Sequence, residues 1–195
     1  MSSTGRKTKR VEHDFYPTPN WCMDRLYEAL PLPDGKWLDP AAGDGAFLKN
    51  KNVNWTALEI QPKFRQDLEV LAGANNVIIE SYLTAQLLPI YNVIITNPPF
   101  SLALEFIKRS IELKPNFVIM LLRLNFLGSV ERSDYLREHM PDIYVLPNRP
   151  SFNGKGKTDS IEYAWFVWSY DKQYGKSSTG NIKLLADTPA KDRKK

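Results

Sequence analysis

YNVIITNPPF, residues 91–100, joins a short β-branched apolar run to a polar residue and two prolines. Such a run predicts a buried parallel strand that ends at Asn97. Ligands bind at the carboxyl ends of strands in open α/β sheets, so we expect the Asn97 side chain to face a cleft. Strand and helix patterns alternate outward from this segment, which predicts an α/β, doubly wound, mostly parallel sheet.

Residues 97–100 have the composition of a binding site for a planar amine. Pro98 and Pro99 remove two backbone donors and fix φ twice, which leaves the Asn97 side-chain oxygen and a rigid backbone carbonyl as two fixed acceptors. Two acceptors suit the two hydrogens of an –NH2 group, and Phe100 can cover the ring that carries this group. The alternative is that Asn-Pro-Pro only stops the strand.

A second motif, WLDPAAGDGAFL at residues 37–48, joins a short strand to small residues that let a backbone approach a ligand. Glu59 follows near the end of the next predicted strand, where an acidic residue holds ribose hydroxyls in nucleoside-binding sheets. Leu48 occupies the place of the third glycine in the dinucleotide motif. This departure disfavours NAD.

The two motifs together resemble S-adenosylmethionine-dependent amino-methyltransferases. Residues 39–47 are similar to the cofactor motif of that family, and residues 97–100 are similar to its catalytic motif. FYPTP at residues 15–19 resembles the segment that closes over the methionine end of the cofactor. Residues 146–152 and 161–166 are similar to small phage-type DNA N6-adenine methyltransferases. The resemblance implies a Rossmann-like methyltransferase sheet whose last strand is antiparallel.

The resemblance also implies site residues. The catalytic candidates are Asn97, Pro98, Pro99 and Phe100. The cofactor-binding candidates are Tyr16, Thr18, Asp39, Ala41, Gly43, Gly45, Glu59, Ile60, Ser81, Tyr82 and Asn97. Ser81 stands where the family commonly has an Asp that accepts a hydrogen bond from the cofactor adenine, and a serine is the weaker acceptor. Tyr82 either packs on the adenine ring or is an ordinary core aromatic.

The loop at residues 148–160 combines basic residues, glycines and an aromatic residue. Cations and glycines suit closure on a phosphodiester, and an exposed aromatic ring suits stacking on an unpaired base. The substrate-binding candidates are Phe100, Arg149, Phe152, Lys155 and Lys157. A plain hairpin connection is the alternative. Arg123 and Asn125 follow an earlier strand and either face the cleft or cap it.

The 195 residues, 43% of them hydrophobic, predict one domain. We expect a basic arm at residues 1–13, a methyltransferase domain at 14–170 and a basic extension at 171–195, without a separate target-recognition domain. Residues 1–10 carry a net charge of +4 and residues 187–195 a net charge of +2, against +4 for the whole chain. These ends either neutralise nucleic-acid phosphates or are solvated tails.

Several classes of protein are disfavoured. No apolar stretch reaches the roughly 18 to 20 residues that span a bilayer, and the N-terminus is basic and polar, so we expect a soluble, cytoplasmic protein of a bacterial or phage-infected host cell without a membrane partner. The one cysteine, Cys22, excludes an internal disulfide, and with only two histidines no zinc site is expected. Cys22 is predicted to be buried on the first helix.

The predicted function is transfer of a methyl group from S-adenosylmethionine to the exocyclic N6 of adenine in DNA. Specificity is expected to be low or to involve a very short site. The alternatives are methylation of an RNA base or of a protein glutamine amide, and a nucleic-acid-binding relative that has lost the chemistry. DNA is the expected partner, RNA is not excluded, and no oligomer is indicated.

Overall fold

The protein is described here by a computed structural model that covers residues 17–50, 53–152, 160–171 and 176–193. These residues form a nine-stranded mixed sheet and five α-helices. The strands are β1 (Lys36–Asp39), β2 (Asn54–Glu59), β3 (Val77–Ile79), β4 (Val93–Thr96), β5 (Phe117–Arg123), β6 (Asp142–Val145), β7 (Tyr163–Asp171), β8 (Lys176–Ser177) and β9 (Ile182–Leu184). The helices are α1 (Asn20–Ala29), α2 (Ala46–Asn50), α3 (Arg65–Ala72), α4 (Ala103–Glu112) and α5 (Val130–Glu138).

The strand order is β3-β2-β1-β4-β5-β7-β6-β9, with β8 paired to β7. Strands β1 to β5 are mutually parallel, whereas β7 runs antiparallel to both of its neighbours, β5 and β6. The prediction of a mostly parallel, doubly wound sheet is therefore confirmed. The strand that was predicted as the last one is antiparallel as expected, but β8 and β9 follow it in the chain. The chain crosses over beside β1, so that the loops after β1 and β4 lie next to each other at one edge.

The sheet is covered on both faces because its central strands are apolar on both sides. Along β4, Val93 and Ile95 belong to one buried cluster and Ile94 to the other. Residues of α1, α2 and α3 complete the first cluster, and residues of α4 and α5 complete the second. Burial on both faces explains why β4 and β5 read as continuous apolar runs.

The sheet continues beyond residue 170. Strand β9 pairs with β6 in parallel register, and Leu185 and Thr188 behind it are buried. The expected end of the domain at residue 170 is therefore too early. The basic composition of residues 171–195 hid this pairing, because the side chains of β9 are exposed and only its backbone joins the sheet.

Two of the expected absences concern membrane-spanning helices and metal-ion sites. No helix among them is long and apolar enough to cross a membrane. Within the same residues, no group of three or more His, Cys, Asp or Glu side chains is arranged to hold a metal ion. Cys22 is buried on α1, as predicted. The arm at residues 1–13 lies outside the described residues.

Candidate active site

A cavity of about 430 Å³ opens at the carboxyl edge of the parallel strands. Its volume lies within the roughly 300 to 1,000 Å³ of small-molecule sites. The loops after β1 to β5 supply most of its wall. Of the predicted site residues, those that line it are Thr18, Ala41, Gly43, Glu59, Ile60, Ser81, Tyr82, Asn97, Pro98, Pro99 and Phe100. Two motifs that are far apart in sequence thus share one cavity.

Seven predicted site residues are not among the residues that line the cavity. Tyr16, Lys155 and Lys157 lie outside the described residues. Asp39, Gly45, Arg149 and Phe152 are described but do not line the cavity. Each of these four has a structural role that is taken up below.

Residues 97–100 are held in place by two hydrogen bonds. The Asn97 Nδ2 donates to the Thr18 Oγ1 at 3.1 Å, and the Thr18 side chain is itself buried. This bond turns the Asn97 Oδ1 away from Thr18. The backbone amide of Leu102 donates to the carbonyl of Pro99 at 2.9 Å and starts the 3-10 turn Phe100–Leu102. The turn fixes the backbone position from which the Phe100 side chain extends.

Glu59 clamps two loops with one carboxylate. Its Oε2 accepts from the Gly43 amide at 2.8 Å, and its Oε1 accepts from the Gln61 amide at 2.8 Å. The side chain is 5% exposed, yet it lines the cavity. A carboxylate offers about four lone-pair directions, so these two bonds leave capacity for ribose hydroxyls. Glu59 therefore shapes the loop after β1 as well as the cavity wall.

Asp39, which was predicted to bind the cofactor, instead bonds to the backbone of the loop after β1. It is completely buried, and its Oδ1 accepts from the Ala41 amide at 3.2 Å. Burial raises the pKa of this carboxyl to about 7, although the Thr96 hydroxyl and the Ala41 amide each lower it in part. The expectation of direct cofactor contact is not met, because the Asp39 side chain is completely buried and does not line the cavity.

Gly45 serves packing rather than approach to a ligand. Its φ is +77°, a value that side-chain-bearing residues rarely adopt, and a Cβ there would meet the Leu71 Cδ1 of α3 at 2.5 Å. Gly43 also has a positive φ of 52°. Its amide is turned toward Glu59. Only Gly43 of the two lines the cavity.

Ser81 and Tyr82 are adjacent in sequence but make different kinds of contact. The Ser81 carbonyl accepts from the amides of Thr84 and Ala85 and forms a turn at the cavity wall. The Tyr82 ring is 2% exposed, packs on Phe106 with 4.9 Å between centroids, and shares a 2.9 Å hydrogen bond with the Ser110 Oγ. Burial raises the pKa of its hydroxyl. Tyr82 thus packs as a core aromatic and also borders the cavity, and its contact with the adenine ring stays a prediction.

Phe152 and Arg149 correct the prediction for the loop after β6. The Phe152 ring is 8% exposed and packs edge-on against Tyr163, with 5.0 Å between centroids. The expectation of an exposed stacking ring is wrong, because Phe152 completes the core beside β7. Arg149 donates from Nε and Nη2 to the Glu162 Oε1 at the surface, and this contact lowers the pKa of the Glu162 carboxyl.

Several cavity residues were not among the predicted site residues, and two of them, Glu80 and Arg123, stand at strand ends. Glu80, which follows β3, lines the cavity one position before Ser81. Arg123, at the end of β5, also lines it, whereas Asn125 does not. A strand-end position was the available signal for both residues. It indicates the edge of the sheet but does not tell which side chains turn inward.

The charges of the cavity are divided between two ends. At the acidic end, Asp44 follows β1, Glu59 ends β2 and Glu80 follows β3. At the aromatic end, after β4 and β5, the wall includes Phe100 and Arg123. Asn97 stands between them in the strand order. Arg123 is the single Lys or Arg among the described residues that line the cavity.

The sequence matches no protein-family model, and no curated protein matches it either. Solved structures do resemble it. An assigned RNA methyltransferase from Pyrococcus horikoshii superposes with a TM-score of 0.62 at 19% identity, over 85% of this chain and 92% of that one. A dimethyladenosine transferase from Plasmodium falciparum gives 0.59 at 15% identity, over 82% and 64%.

The modification subunit of an assigned type I restriction enzyme from Vibrio vulnificus gives a TM-score of 0.58 at 19% identity, over 95% of this chain and 50% of that subunit. This chain thus spans less than two thirds of the length of the Plasmodium and Vibrio proteins. Identities this low carry the fold alone. The chain has the Rossmann-like methyltransferase fold, with its cavity at the strand edge described above.

Proposed function

We propose that this protein transfers a methyl group from S-adenosylmethionine to the exocyclic N6 of adenine in DNA, with low or very short sequence specificity. The observation that carries the proposal is that Asn97, Pro98 and Phe100 line the same cavity as Glu59 and Gly43. A candidate amine site and a candidate nucleoside site are thereby adjacent. Adjacent sites are what direct transfer between two bound molecules requires.

The acidic end fits the cofactor. Glu59 has acceptor capacity for ribose hydroxyls, and Ile60 beside it is 44% exposed at the cavity wall, where an apolar side chain can cover a purine. Glu80 and Ser81 supply acceptors at the next strand end. When bound there, S-adenosylmethionine supplies an electrophilic methyl group on a sulfonium. The negative charge of this end favours that cation.

The residues at 97–100 act on the amine. The Asn97 Oδ1 and the Pro98 carbonyl accept its two hydrogens, which draws the nitrogen lone pair out of conjugation with the ring. Phe100 stacks on that ring. The nitrogen then forms a bond to the methyl carbon as the carbon–sulfur bond breaks, and it releases one proton to solvent. Positioning and charge stabilisation supply the acceleration, and no covalent enzyme intermediate is needed.

Thr18 acts as a positioning residue in this scheme. By accepting from the Asn97 Nδ2, its Oγ1 selects the amide orientation in which the acceptor oxygen faces the amine. The opposite orientation would present two donors to two donors. Thr18 therefore affects transfer through Asn97, in addition to bordering the cavity on the side predicted to hold the methionine end of the cofactor.

The target adenine has to leave its duplex or be single-stranded already. A base inside a helix cannot present its amine to an enclosed cavity, and extrusion costs a few kcal/mol. RNA is the second candidate substrate. It is favoured by one observation: a similar structure bears the name RNA methyltransferase.

Mass spectrometry of nucleosides tests the proposal. The protein is incubated with methyl-deuterated S-adenosylmethionine and either single-stranded DNA, duplex DNA or RNA, and the digested nucleosides are analysed. Labelled N6-methyladenine in DNA is expected. Label in RNA alone would establish the second candidate. Cofactor binding by calorimetry without label in any nucleic acid would contradict methylation of nucleic acid.

A further inference from the structure

Arg123 has a distinctive environment at the aromatic end. Its guanidinium carbon lies 4.6 Å from the centroid of the Phe100 ring and 6.0 Å from that of Tyr163. Its Nε donates to the Tyr163 hydroxyl at 3.1 Å. Arg123 and Tyr163 are direct partners in the antiparallel pairing of β5 and β7. The guanidinium is therefore fixed in position at the cavity wall, beside the ring proposed to stack on the target base.

The charge distribution of the cavity favours the binding of an anion at this guanidinium. Three carboxyl groups stand at the acidic end, and Arg123 is the single Lys or Arg among the described residues of the wall. An anion that enters the cavity is repelled from the acidic end and attracted to Arg123. The planar fork of a guanidinium matches the oxygens of a phosphate bidentately.

A second arginine, Arg132, lies over a phenylalanine ring in the same way but outside the cavity. The Arg132 guanidinium carbon lies 4.5 Å from the centroid of Phe126, and its Nε donates to the Phe126 carbonyl at 2.8 Å. Neither residue lines the cavity. Arg132 is thus a matched control for Arg123, since its guanidinium carbon lies at a similar distance from a phenylalanine ring and its Nε also donates a hydrogen bond.

We infer that the Arg123 guanidinium binds a phosphodiester of the strand that carries the target base. The inference rests on the proposed function, because it concerns the same cavity. It names a contact to the nucleic-acid backbone within the cavity wall, on the side of Asn97 away from the cofactor. In this arrangement Phe100 contacts both Arg123 and the target base, so that it orients the guanidinium and also covers the base.

The experiment measures binding of an adenine-containing, fluorescently labelled single-stranded DNA to the full chain by anisotropy, over about 50 to 200 mM salt. The variants are Arg123→Gln, Arg123→Lys and the control Arg132→Gln. Cofactor affinity is measured in parallel by calorimetry, and methyl transfer by the wild type is measured with the same DNA.

We expect Arg123→Gln to weaken DNA binding at least about tenfold, as for loss of a hydrogen bond to a charged group. The slope of log affinity against log salt should become shallower by about 0.7, the value for one neutralised phosphate of a single strand. Arg123→Lys should keep the slope and lose part of the affinity. Arg132→Gln should change neither, and all variants should bind cofactor normally.

Three results would overturn the inference. An unchanged salt slope with weakened binding would assign Arg123 to the base edge or to packing of Phe100. Equal effects of Arg123→Gln and Arg132→Gln would assign both arginines to stability. A wild type that binds cofactor but neither binds nor methylates nucleic acid would remove the proposed function together with the phosphate contact. In the first two results wild-type transfer persists, which separates them from failure of the function.

Discussion

The two ends of the cavity are built by different interactions. At the acidic end, Glu59 accepts from the amides of Gly43 and Gln61, so one carboxylate joins the loops after β1 and β2, two strands that are consecutive in the chain. At the aromatic end, Arg123 lies over Phe100 and bonds to Tyr163, and these contacts join three separate strand ends. The first end joins the loops of strands that follow each other along the chain. The second exists only when β4, β5 and β7 are neighbours.

This difference predicts separate consequences for substitutions at each end. Changes at the acidic end should alter cofactor affinity and stability, whereas changes at the aromatic end should alter nucleic-acid binding. Asn97, between the two ends, should alter the transfer step itself. Arg123, for which the expected outcome is given above, tests the aromatic end.

The largest effect is expected for Asn97→Ala. It should lower the rate of methyl transfer by at least about a hundredfold, the usual cost of removing one preorganised contact to the reacting group. Cofactor affinity should stay nearly unchanged, because the lost contact is made to the amine. Single-turnover transfer and calorimetry measure the two quantities. Asn125→Ala, an exposed asparagine outside the cavity wall, is the control, and activity within tenfold of wild type would refute the role of Asn97.

The next effect concerns pH and the carboxyl beneath the acidic end. Because burial raises the pKa of Asp39 to about 7, the folded state binds a proton there that the unfolded state releases near pH 4. The free energy of unfolding should therefore fall as pH rises from about 4 to about 7 and this loss should be complete above that range, at about 1.4 kcal/mol per unit of pKa difference.

Asp39→Asn should lack this decline. Urea unfolding at several values of pH, followed by tryptophan fluorescence, measures it in both proteins. Parallel curves of unfolding free energy against pH for the wild type and Asp39→Asn would mean that the pKa of the Asp39 carboxyl is the same in the folded and unfolded states. A decline that persists in the variant would have to come from another group.

A smaller effect is expected for Glu59→Gln. It should weaken S-adenosylmethionine binding by about 1 to 3 kcal/mol, the range for losing a hydrogen bond to a charged group. The melting temperature should also fall, since the amide nitrogen of Gln would face one of two backbone donors. Calorimetry and thermal unfolding measure the two effects. Glu69→Gln, on the outer surface of α3, is the control, and unchanged cofactor affinity would limit Glu59 to a loop clamp.

The smallest effect separates the two roles of Thr18. Thr18→Val should lower the transfer rate several-fold, in line with about 0.5 to 1.5 kcal/mol for one neutral hydrogen bond, because the Asn97 amide loses its orientation. Thr18→Ser should restore the rate, since it keeps the hydroxyl. Single-turnover kinetics with saturating cofactor measures both. Transfer by Thr18→Val at the wild-type rate would mean that the hydroxyl does not orient the Asn97 amide, and the positioning role would be wrong.

The sequence by itself determined the elements whose signals are local. The apolar run before Asn97 predicted β4, and the segment at 37–48 predicted a strand, a glycine turn and a helix, because hydrophobic period and turn chemistry act over a few residues. The placement of Glu59 and Asn97 at strand ends followed from those elements. The alternation of strands and helices then predicted the sheet type.

Only the tertiary structure decided which side chains meet. Asp39 and Glu59 are both acids at strand ends, yet one is sealed inside the sheet and the other reaches the cavity, because Asp39 pairs with Ala57 and Glu59 lies two residues nearer the carboxyl edge. Thr18 and Asn97 bond across 79 residues of sequence. Phe152 became core rather than surface because Tyr163 of β7 lies beside it. These contacts depend on the strand order, which no short segment of sequence encodes.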